Sequence, residues 1–453
     1  MSIKPFVSFV FACVAVTALV TVSALAVDPA IKCESGKLKE AGKYTGCVLS
    51  VDSKAVKRGL SPDYSKCESR FTAKWNKIEL KGAGLCPSSG DDLLVKTEAD
   101  TFASSIRSLL EPHASPAAVA VGGKHTCAIL DNGAVRCWGD GGYGQLGYGN
   151  VNDIGDDEEP ASAGDVNVGG TVVQLAAGFS HTCAQLDSGA VRCWGVGGAG
   201  QLGYGNEDDI GDNEEPASAG DVNVEGGNAL TVVQLVTGGW HNCALLDNGA
   251  VRCWGDGGYG RLGYGNVNDI GDNEEPASAG DVNVGGTVVQ LAAGFTHTCA
   301  LLDTGAVRCW GYGFYGNLGY GNNDTIGNNE DPASAGDVNV GGTVVQLAAG
   351  GQHTCALMNT GAVRCWGYGF YGQLGYGNTT NVGDSMDPAS AGDVNVGGPV
   401  VQLAAGDRHT CALLYTGAIR CWGYGASGRL GYGNTDSIGD NEDPASAGDV
   451  PYQ

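Results

Sequence analysis

The stretch His297–Gly311 reads HTCALLDTGAVRCWG, and five further copies of it, with small changes, occur in the chain. Two short apolar segments flank Asp-Thr-Gly, which is typical of a three-residue hairpin loop with glycine in the left-handed position. Such a loop pairs Leu302 with Ala306, and counting outward then places Cys299 opposite Cys309. The Cβ atoms of directly opposed residues lie about 4.5–5.5 Å apart, which is close to disulfide distance.

Each copy is therefore expected to carry a disulfide across its own hairpin, contributing about 2–3 kcal/mol for so short a loop. The pairs would be Cys127–Cys137, Cys183–Cys193, Cys243–Cys253, Cys299–Cys309, Cys355–Cys365 and Cys411–Cys421. A zinc site is the competing interpretation, because a period of two puts His297, Cys299 and Cys309 on one face. Without a metal, the histidine would bond a neighbouring loop, and the tryptophan after each second cysteine would pack between repeats with its N–H bonded to a loop.

The repeat predicts an all-β fold. Successive repeat histidines are 56 residues apart, except for one interval of 60 that holds an insertion around Glu225–Leu230. Each unit has four short segments, DVNVGG, TVVQLAAG, HTCALLD and AVRCWG, of strand length. A period of about 50 residues with several strands per unit is typical of a propeller blade. We therefore expect about six four-stranded blades over residues 113–453.

The run VVQLAAGxxHTCALLxxGAVRCWGxGxxGQLGYGN resembles the repeat of the regulator of chromosome condensation (RCC1) family, over about Val119 to Val450. The resemblance implies a propeller of four-stranded blades. Within the family, the chain resembles the secreted bacterial type, whose members include an inhibitor of β-lactamase. Family members commonly have seven blades, so a seventh stays possible here. The family also includes nuclear exchange factors for small GTPases, which use a protruding wedge, and the nearly uniform repeats contain no such insertion. We expect Asp449 and Val450 to complete the edge of the first blade, which lacks the DVNVGG piece.

The N-terminal residues predict export. Residues 1–26 combine a lysine, a long apolar run and Ala24-Leu25-Ala26, the order of a cleaved secretory signal. An uncleaved membrane anchor is the alternative, because the apolar run is nearly long enough to span a bilayer. Cleavage would remove Cys13 and leave an even number of cysteines, as is usual for disulfide-bonded proteins of the extracellular space or the periplasm.

Residues 27–112 are lysine-rich and glycine-poor, with apolar side chains at helical spacing. They predict a small helical module held by two disulfides and followed by a linker helix. The pairing Cys33–Cys86 with Cys47–Cys67 is one of the three that four cysteines allow.

Two loops vary among the repeats, one just before each histidine and one after each tryptophan. In an antiparallel meander both loops emerge at the same end, so they would form one face rich in aromatic and arginine side chains. Such a composition is typical of surfaces that bind a protein or a glycan, whereas packing between loops is the alternative use of these rings. The candidate binding residues are Tyr143, Trp240, Tyr259, Arg261, Phe295, Phe314, Tyr315, Phe370, Tyr371, Arg408 and Arg429.

Acidic connections such as NVNDIGDDEEP follow each LGYGN and would lie at the opposite end, with the hairpin tips. Their oxygens could bind calcium, but the spacing matches neither an EF-hand nor a nonapeptide calcium roll, so solvated loops are the preferred interpretation and no cofactor is expected. The net charge of −25 falls on the repeats. Because such a body repels phosphate backbones, we do not expect nucleic acid as a partner.

The sequence carries no nucleophile elbow, no HExxH and no phosphate loop between a strand and a helix. Nearly identical repeats also argue against catalysis, which needs different groups in different blades. The residues therefore predict a secreted, non-enzymatic scaffold, monomeric and free of the membrane, that binds a protein or glycan. The alternatives are a calcium- or zinc-dependent structural protein of the cell surface and an extracellular hydrolase.

Overall fold

The computed structural model describes residues 119–227 and 230–451. The predictions for the signal segment, for the module 27–112 and for Cys33, Cys47, Cys67 and Cys86 lie outside these residues. The compact unit that contains the repeats runs from Pro116 to Gln453. Among the described residues, no helix has the length and apolar character needed to cross a membrane.

The described residues form six three-stranded antiparallel sheets, one for each repeat, and each sheet is called a blade and numbered in chain order. The strands of blades 1 to 3 are β1 (Val119–Val121), β2 (His125–Ile129), β3 (Val135–Gly139), β4 (Val172–Ala177), β5 (His181–Leu186), β6 (Val191–Gly195), β7 (Val232–Thr237), β8 (His241–Leu246) and β9 (Val251–Gly255). Those of blades 4 to 6 are β10 (Val288–Ala293), β11 (His297–Leu302), β12 (Val307–Gly311), β13 (Val344–Ala349), β14 (His353–Met358), β15 (Val363–Gly367), β16 (Val400–Ala405), β17 (His409–Leu414) and β18 (Ile419–Gly423).

One-turn helices lie in the connections between blades. Three of them are α-helical, namely α1 (Pro216–Ala219), α2 (Pro332–Ala335) and α3 (Pro388–Ala391). The 3-10 turns are Pro160–Ala163, Gly258–Gly260, Pro276–Ala279, Ala426–Gly428 and Pro444–Ala447. Proline begins each PASA turn, where its missing N–H costs no hydrogen bond.

The expectation of four full strands per blade was wrong. In place of a fourth strand, the blades have only isolated bridges between the third strand and the connection that follows it, such as Gly139 with Ile154 and Val135 with Val166. The N–H of Val168 bonds the carbonyl of Val166 two residues back and so leaves the ladder. Asp, Asn and Gly dominate this segment, and these residues are poor strand formers.

The hairpin prediction is confirmed. The N–H of Leu302 bonds the carbonyl of Ala306 at 2.9 Å, and Gly305 takes the left-handed φ of 82° that this loop requires. Cys299 faces Cys309 across β11 and β12, and the two form a disulfide with a Cα–Cα distance of 4.1 Å. Disulfides close the other five hairpins in the same register.

The core lies between neighbouring blades. The tryptophans of blades 2 to 6 have no exposed surface, and Trp194 donates its indole N–H to the carbonyl of Gln145 in blade 1 at 3.0 Å. This confirms the expected packing of tryptophan between repeats. The histidine expectation was wrong in its partner, because His297 bonds a threonine inside a strand of the next blade rather than a loop.

The chain end does not complete the first blade. The N–H of Val450 bonds the carbonyl of Ile419 at 2.8 Å, and Asp449 pairs with Arg420 at 2.9 Å. Both partners belong to blade 6, so the C-terminal residues finish their own blade, as Val166 and Asp165 do for blade 1. The expected closure through Asp449 and Val450 was therefore wrong.

Candidate interaction face

The two variable loops of each blade lie side by side, as the sequence predicted. The N–H of Tyr312, at the start of the loop after β12, bonds the carbonyl of Thr296 in the loop before β11 at 2.9 Å. In blades 5 and 6, the Nη1 of Arg408 lies 3.4 Å from the hydroxyl oxygen of Tyr371. We call the end of the propeller formed by these paired loops the loop face.

A continuous row of aromatic rings crosses the loop face from blade 3 to blade 6. We call this row the aromatic ladder; it consists of Tyr259, Tyr312, Phe314, Tyr315, Tyr368, Phe370, Tyr371 and Tyr424. Ring centroids of Tyr259 and Tyr312 are 4.7 Å apart, and those of Tyr315 and Tyr368 are 4.8 Å apart. Since these pairs join different blades, the ladder forms only when the blades pack against one another in the propeller.

Within a blade the ladder repeats one local arrangement. Phe314 stacks on Tyr312 with an interplanar angle of 11°, and Phe370 stacks on Tyr368 at 15°. Phe314 and Phe370 nevertheless keep 56% and 59% of their surface exposed. The rings therefore pack against each other and also leave apolar surface in water, so packing alone does not account for them.

A second aromatic group comes from the loops before the histidines. Trp240 lies 5.3 Å from Phe179 of blade 2, and Phe295 of blade 4 lies 6.0 Å from Phe179. The backbones of these loops are linked as well, since Phe179 donates to the carbonyl of Gly239, and Gly239 to that of Phe295. Trp240 remains 39% exposed and adds a large apolar surface to the loop face.

Two of the three candidate arginines lie on the ladder and one does not. Arg408 sits 5.0 Å from the ring centre of Tyr371, and Arg429 sits 4.8 Å from that of Tyr424. Both arginines are exposed. Arg261 is buried, with its side chain bonded to Asp256 and to the carbonyl of Gly258, and burial lowers its pKa. Arg261 therefore shapes its own loop and offers little surface to a partner.

Sequence reasoning missed four aromatic residues of this face. Tyr312, Tyr368 and Tyr424 open the loops of blades 4 to 6, and Phe179 precedes the histidine of blade 2. Tyrosine at the first loop position is confined to these three blades, and that restriction was the available signal. Conversely, Tyr143 is 52% exposed, and no ring contact joins it to the ladder within the described residues.

The acidic connections begin at the loop face, which corrects their expected place at the opposite end. The Oδ1 of Asp153 accepts a hydrogen bond from the N–H of Gly141 in the variable loop at 2.8 Å. Farther along, Gly211 and Asp212 of blade 2 lie against Gly144, in the variable loop of blade 1. In the blades that carry the ladder, Asp384 and Asp440 lie in the same way against Gly316 and Gly372 of the variable loops, whereas the position of Asp153 is Asn381 in blade 5 and Ser437 in blade 6.

Asp156, Asp157 and Glu158 are the one group of carboxylates in the described residues whose oxygens all approach within 4.8 Å. They are largely exposed and belong to blade 1 alone. The zinc interpretation loses its ligands, because Cys299 and Cys309 are joined in a disulfide.

Five of the six repeat histidines are buried rather than placed at a reactive surface, and His409 of blade 6 is partly exposed. Burial lowers the pKa of His297 to about 4 and that of His353 to about 3, which keeps both rings neutral near pH 7. Each donates to or accepts from a hydroxyl of the next blade. Their hydrogen bonds join neighbouring blades.

Comparison with known proteins identifies the repeats. The model of the RCC1-like domain family matches residues 83–448. The ultraviolet-B receptor UVR8 of Arabidopsis thaliana is 31% identical over 321 residues, which cover 70% of this chain and 67% of UVR8. The human E3 ubiquitin-protein ligase HERC2 is also 31% identical over 321 residues, but these cover only 6% of HERC2.

Solved structures agree on the fold. Yeast RCC1 (Prp20), in its complex with Kap60, superposes with a TM-score of 0.57 at 23% identity, covering 72% of this chain and 74% of that chain. Human WBSCR16 superposes with a TM-score of 0.56 at 22% identity, covering 73% of this chain and 81% of that chain. At this level of identity the similarity concerns the propeller alone.

Proposed function

Because the chain belongs to the RCC1-like domain family, we propose that it is a non-enzymatic scaffold that binds a protein partner through the loop face. The observation that carries the proposal is the aromatic ladder, which crosses four blades and leaves Phe314 and Phe370 more than half exposed. Large exposed aromatic patches with arginine at their edge are the common anchors of protein interfaces.

The surroundings of the ladder indicate the chemistry of the partner. Asp384 and Asp440 of the acidic connections lie against the variable loops of blades 4 and 5, and the chain as a whole has a net charge of −25. A partner with apolar side chains surrounded by lysine and arginine would meet both the rings and this charge. Yeast RCC1 (Prp20) bound to Kap60 gives an example of a propeller of this fold in a protein complex.

We also propose that the protein acts outside the cytosol. Six disulfides, one in each blade, suit an oxidising compartment, where such bonds persist. The N-terminal sequence, with its apolar run and Ala24-Leu25-Ala26, supports the same proposal. The partner would accordingly be sought among exported proteins.

The experiment is affinity capture from the extracellular fraction with the chain in which Phe314, Tyr315, Phe370 and Tyr371 are all replaced by alanine. The proposal expects specific capture by the unchanged chain and its loss with this variant. Tyr415→Ala is the matched control, because Tyr415 is 81% exposed at a hairpin tip, away from the loop face. Equal capture by the unchanged chain and the fourfold variant would contradict the proposal.

A glycan array run with the same three proteins distinguishes the class of partner. Glycan binding that depends on the four aromatic residues, without any captured protein, would replace the protein partner by a carbohydrate. Unfolding of each variant, followed by circular dichroism, shows whether the propeller is intact.

A further inference from the structure

Blades 4 and 5 carry the same aromatic motif in adjacent loops. The loops after β12 and β15 both begin with Tyr-Gly-Phe-Tyr-Gly, and the equivalent loops of the other four blades differ from this motif. The rings have the same arrangement in both, with Phe314 edge-on to Tyr315 at 5.1 Å and Phe370 edge-on to Tyr371 at 5.2 Å. We call the two clusters the aromatic triads; they are Tyr312, Phe314 and Tyr315 in blade 4, and Tyr368, Phe370 and Tyr371 in blade 5. A surface unit that occurs twice, side by side, suits a ligand that itself repeats.

The spacing of the triads indicates the period of that ligand. The ring centres of Tyr312 and Tyr315 are 6.4 Å apart, and those of Tyr315 and Tyr368 are 4.8 Å apart. Equivalent rings of the two triads are therefore at most about 11 Å apart, and three residues of a polyproline II helix span about 9 Å. One turn of that helix carries a side chain from one triad to the same place on the next. A β-strand does not fit in this way, because its side chains alternate and every third residue points to the opposite side.

The triads also offer hydrogen-bond donors. The hydroxyl groups of Tyr312, Tyr315 and Tyr368 have no hydrogen bond within the part of the chain that the structure describes. A polyproline II segment has no internal hydrogen bonds, so its carbonyl groups can accept from such hydroxyls. An α-helix uses its carbonyl groups internally and would leave these donors without acceptors. Aromatic-lined surfaces that bind proline-rich segments are a recurring mode of peptide recognition.

The charge around the triads favours a basic segment. The backbone of Asp384 lies directly against Gly316 at the end of the first motif, and that of Asp440 lies against Gly372 at the end of the second. Neither carboxylate has an ion pair among the described residues. Arg408, the basic side chain on the second triad, is already paired with Asp407 at 3.1 Å. Lysine or arginine in the ligand would therefore meet carboxylates that lack a counter-charge.

We propose that the two aromatic triads bind a proline-rich segment of a protein partner in the polyproline II conformation. Proline recurs at every third position of this segment, and lysine or arginine stands among the residues between. Phe314 and Phe370, which are 56% and 59% exposed, contact successive prolines. Because such a segment is already extended before it binds, little conformational entropy is lost. The inference rests on the proposed function, protein binding by the loop face, and specifies the class of partner.

The experiment measures binding of a dye-labelled peptide of four Pro-Lys-Ala repeats to the full chain by fluorescence anisotropy. The test variant combines Phe314→Ala with Phe370→Ala, and both rings are more than half exposed, so the fold does not depend on them. Tyr143→Ala is the matched control, because Tyr143 is 52% exposed in the same variable loop of blade 1 and has no ring contact with the ladder among the described residues. Circular dichroism during thermal unfolding checks the folding of each variant.

The proposal expects equal affinity for the unchanged chain and the control, and affinity at least about tenfold lower for the double variant, as for the loss of interface anchors. Each single substitution should give an intermediate loss, because each triad contacts one proline. A peptide of the same composition with irregularly spaced prolines should bind the unchanged chain at least about tenfold more weakly than the regular one.

Absence of binding by the unchanged chain, or equal affinity for the regular and the irregular peptide, would overturn the proposal. Tighter binding of a helical peptide with apolar residues seven positions apart would also overturn it, in favour of a helical partner. Capture of a protein through the four aromatic residues, without binding of the proline-rich peptide, would leave the proposed function standing and remove only this inference.

Discussion

Nε2 of His297, on β11, lies 2.8 Å from Oγ1 of Thr354, on β14 of the next blade. Both side chains are fully buried, and Oγ1 of Thr354 in turn donates to the carbonyl of Asn317 at 3.2 Å. The contact links residues 57 positions apart, and blade 3 supplies Asn242 in place of threonine to the preceding histidine. A polar seam therefore runs through the otherwise apolar junctions.

Removing the hydroxyl from this seam should destabilise the propeller. Thr354→Val keeps the shape but leaves the imidazole of His297 without its partner, which costs about 1–3 kcal/mol of unfolding free energy. Denaturant unfolding measures the loss. Thr354→Asn is the matched control, because asparagine serves this role at the junction of blades 2 and 3. Equal losses for the two variants would show that volume, and not the hydrogen bond, determines stability here.

Acid should destabilise the protein through the same histidines. Burial lowers the pKa of His297 to about 4 and of His353 to about 3, from an ordinary value of 6.5. The unfolded chain therefore binds protons first as the pH falls below 6.5, and stability is lost progressively down to about pH 4. Each pKa unit corresponds to about 1.4 kcal/mol, so several buried histidines together give a loss of several kcal/mol. Unfolding midpoints measured across this range would contradict the prediction if they stayed constant.

The disulfides should differ in their resistance to reduction. Ten of the twelve hairpin cysteines have no exposed surface, whereas Cys411 is partly exposed and Cys421 is 6% exposed. Since thiol–disulfide exchange requires access to a sulfur atom, we expect Cys411–Cys421 to be reduced first in dilute solution. Mass spectrometry after mild reduction and alkylation identifies the labelled cysteines. Labelling of Cys299 and Cys309 at the same rate would contradict this prediction.

The loop that contains Arg261 should relax when glutamine replaces the arginine. Gln373 of blade 5 accepts a hydrogen bond from the N–H of Tyr371 at 2.9 Å. Arginine has no acceptor, and Tyr259 instead takes a left-handed φ of 58°, which costs about 1 kcal/mol. We expect Arg261→Gln to raise the unfolding free energy by up to about that amount.

The reverse substitution, Gln373→Arg, provides the check on this interpretation. It removes the acceptor from the loop of blade 5 and should lower the unfolding free energy, measured by the same denaturant titration. If Gln373→Arg stabilised the protein, or Arg261→Gln destabilised it, the left-handed φ of Tyr259 could not be attributed to the arginine at position 261.

The predictions that the structure contradicts concern relations between blades or weak pairing at their edges. The spacing of Asp449 and Val450 did not reveal which blade they complete, because the edge segment of blade 1 and that of blade 6 have the same sequence pattern. The acidic connections were placed at the wrong end, since the bridge between Ile154 and Gly139 involves single residues that no alternation indicates. Arg261 was included among the exposed candidates, although Asp256, five residues before it, holds it inside the loop.

The sequence by itself determined the hairpin, its left-handed Gly305, the facing pair Cys299 and Cys309 and the number of repeats, because these follow from contacts within about a dozen residues and from their repetition. The tertiary structure decided that the rings of the ladder join across blades and that five of the histidines meet a threonine or an asparagine of the next blade. These relations depend on how each sheet is rotated against the next. That rotation is fixed by packing between residues 57 positions apart, such as Gln290 with Leu347, and a repeat period does not encode it.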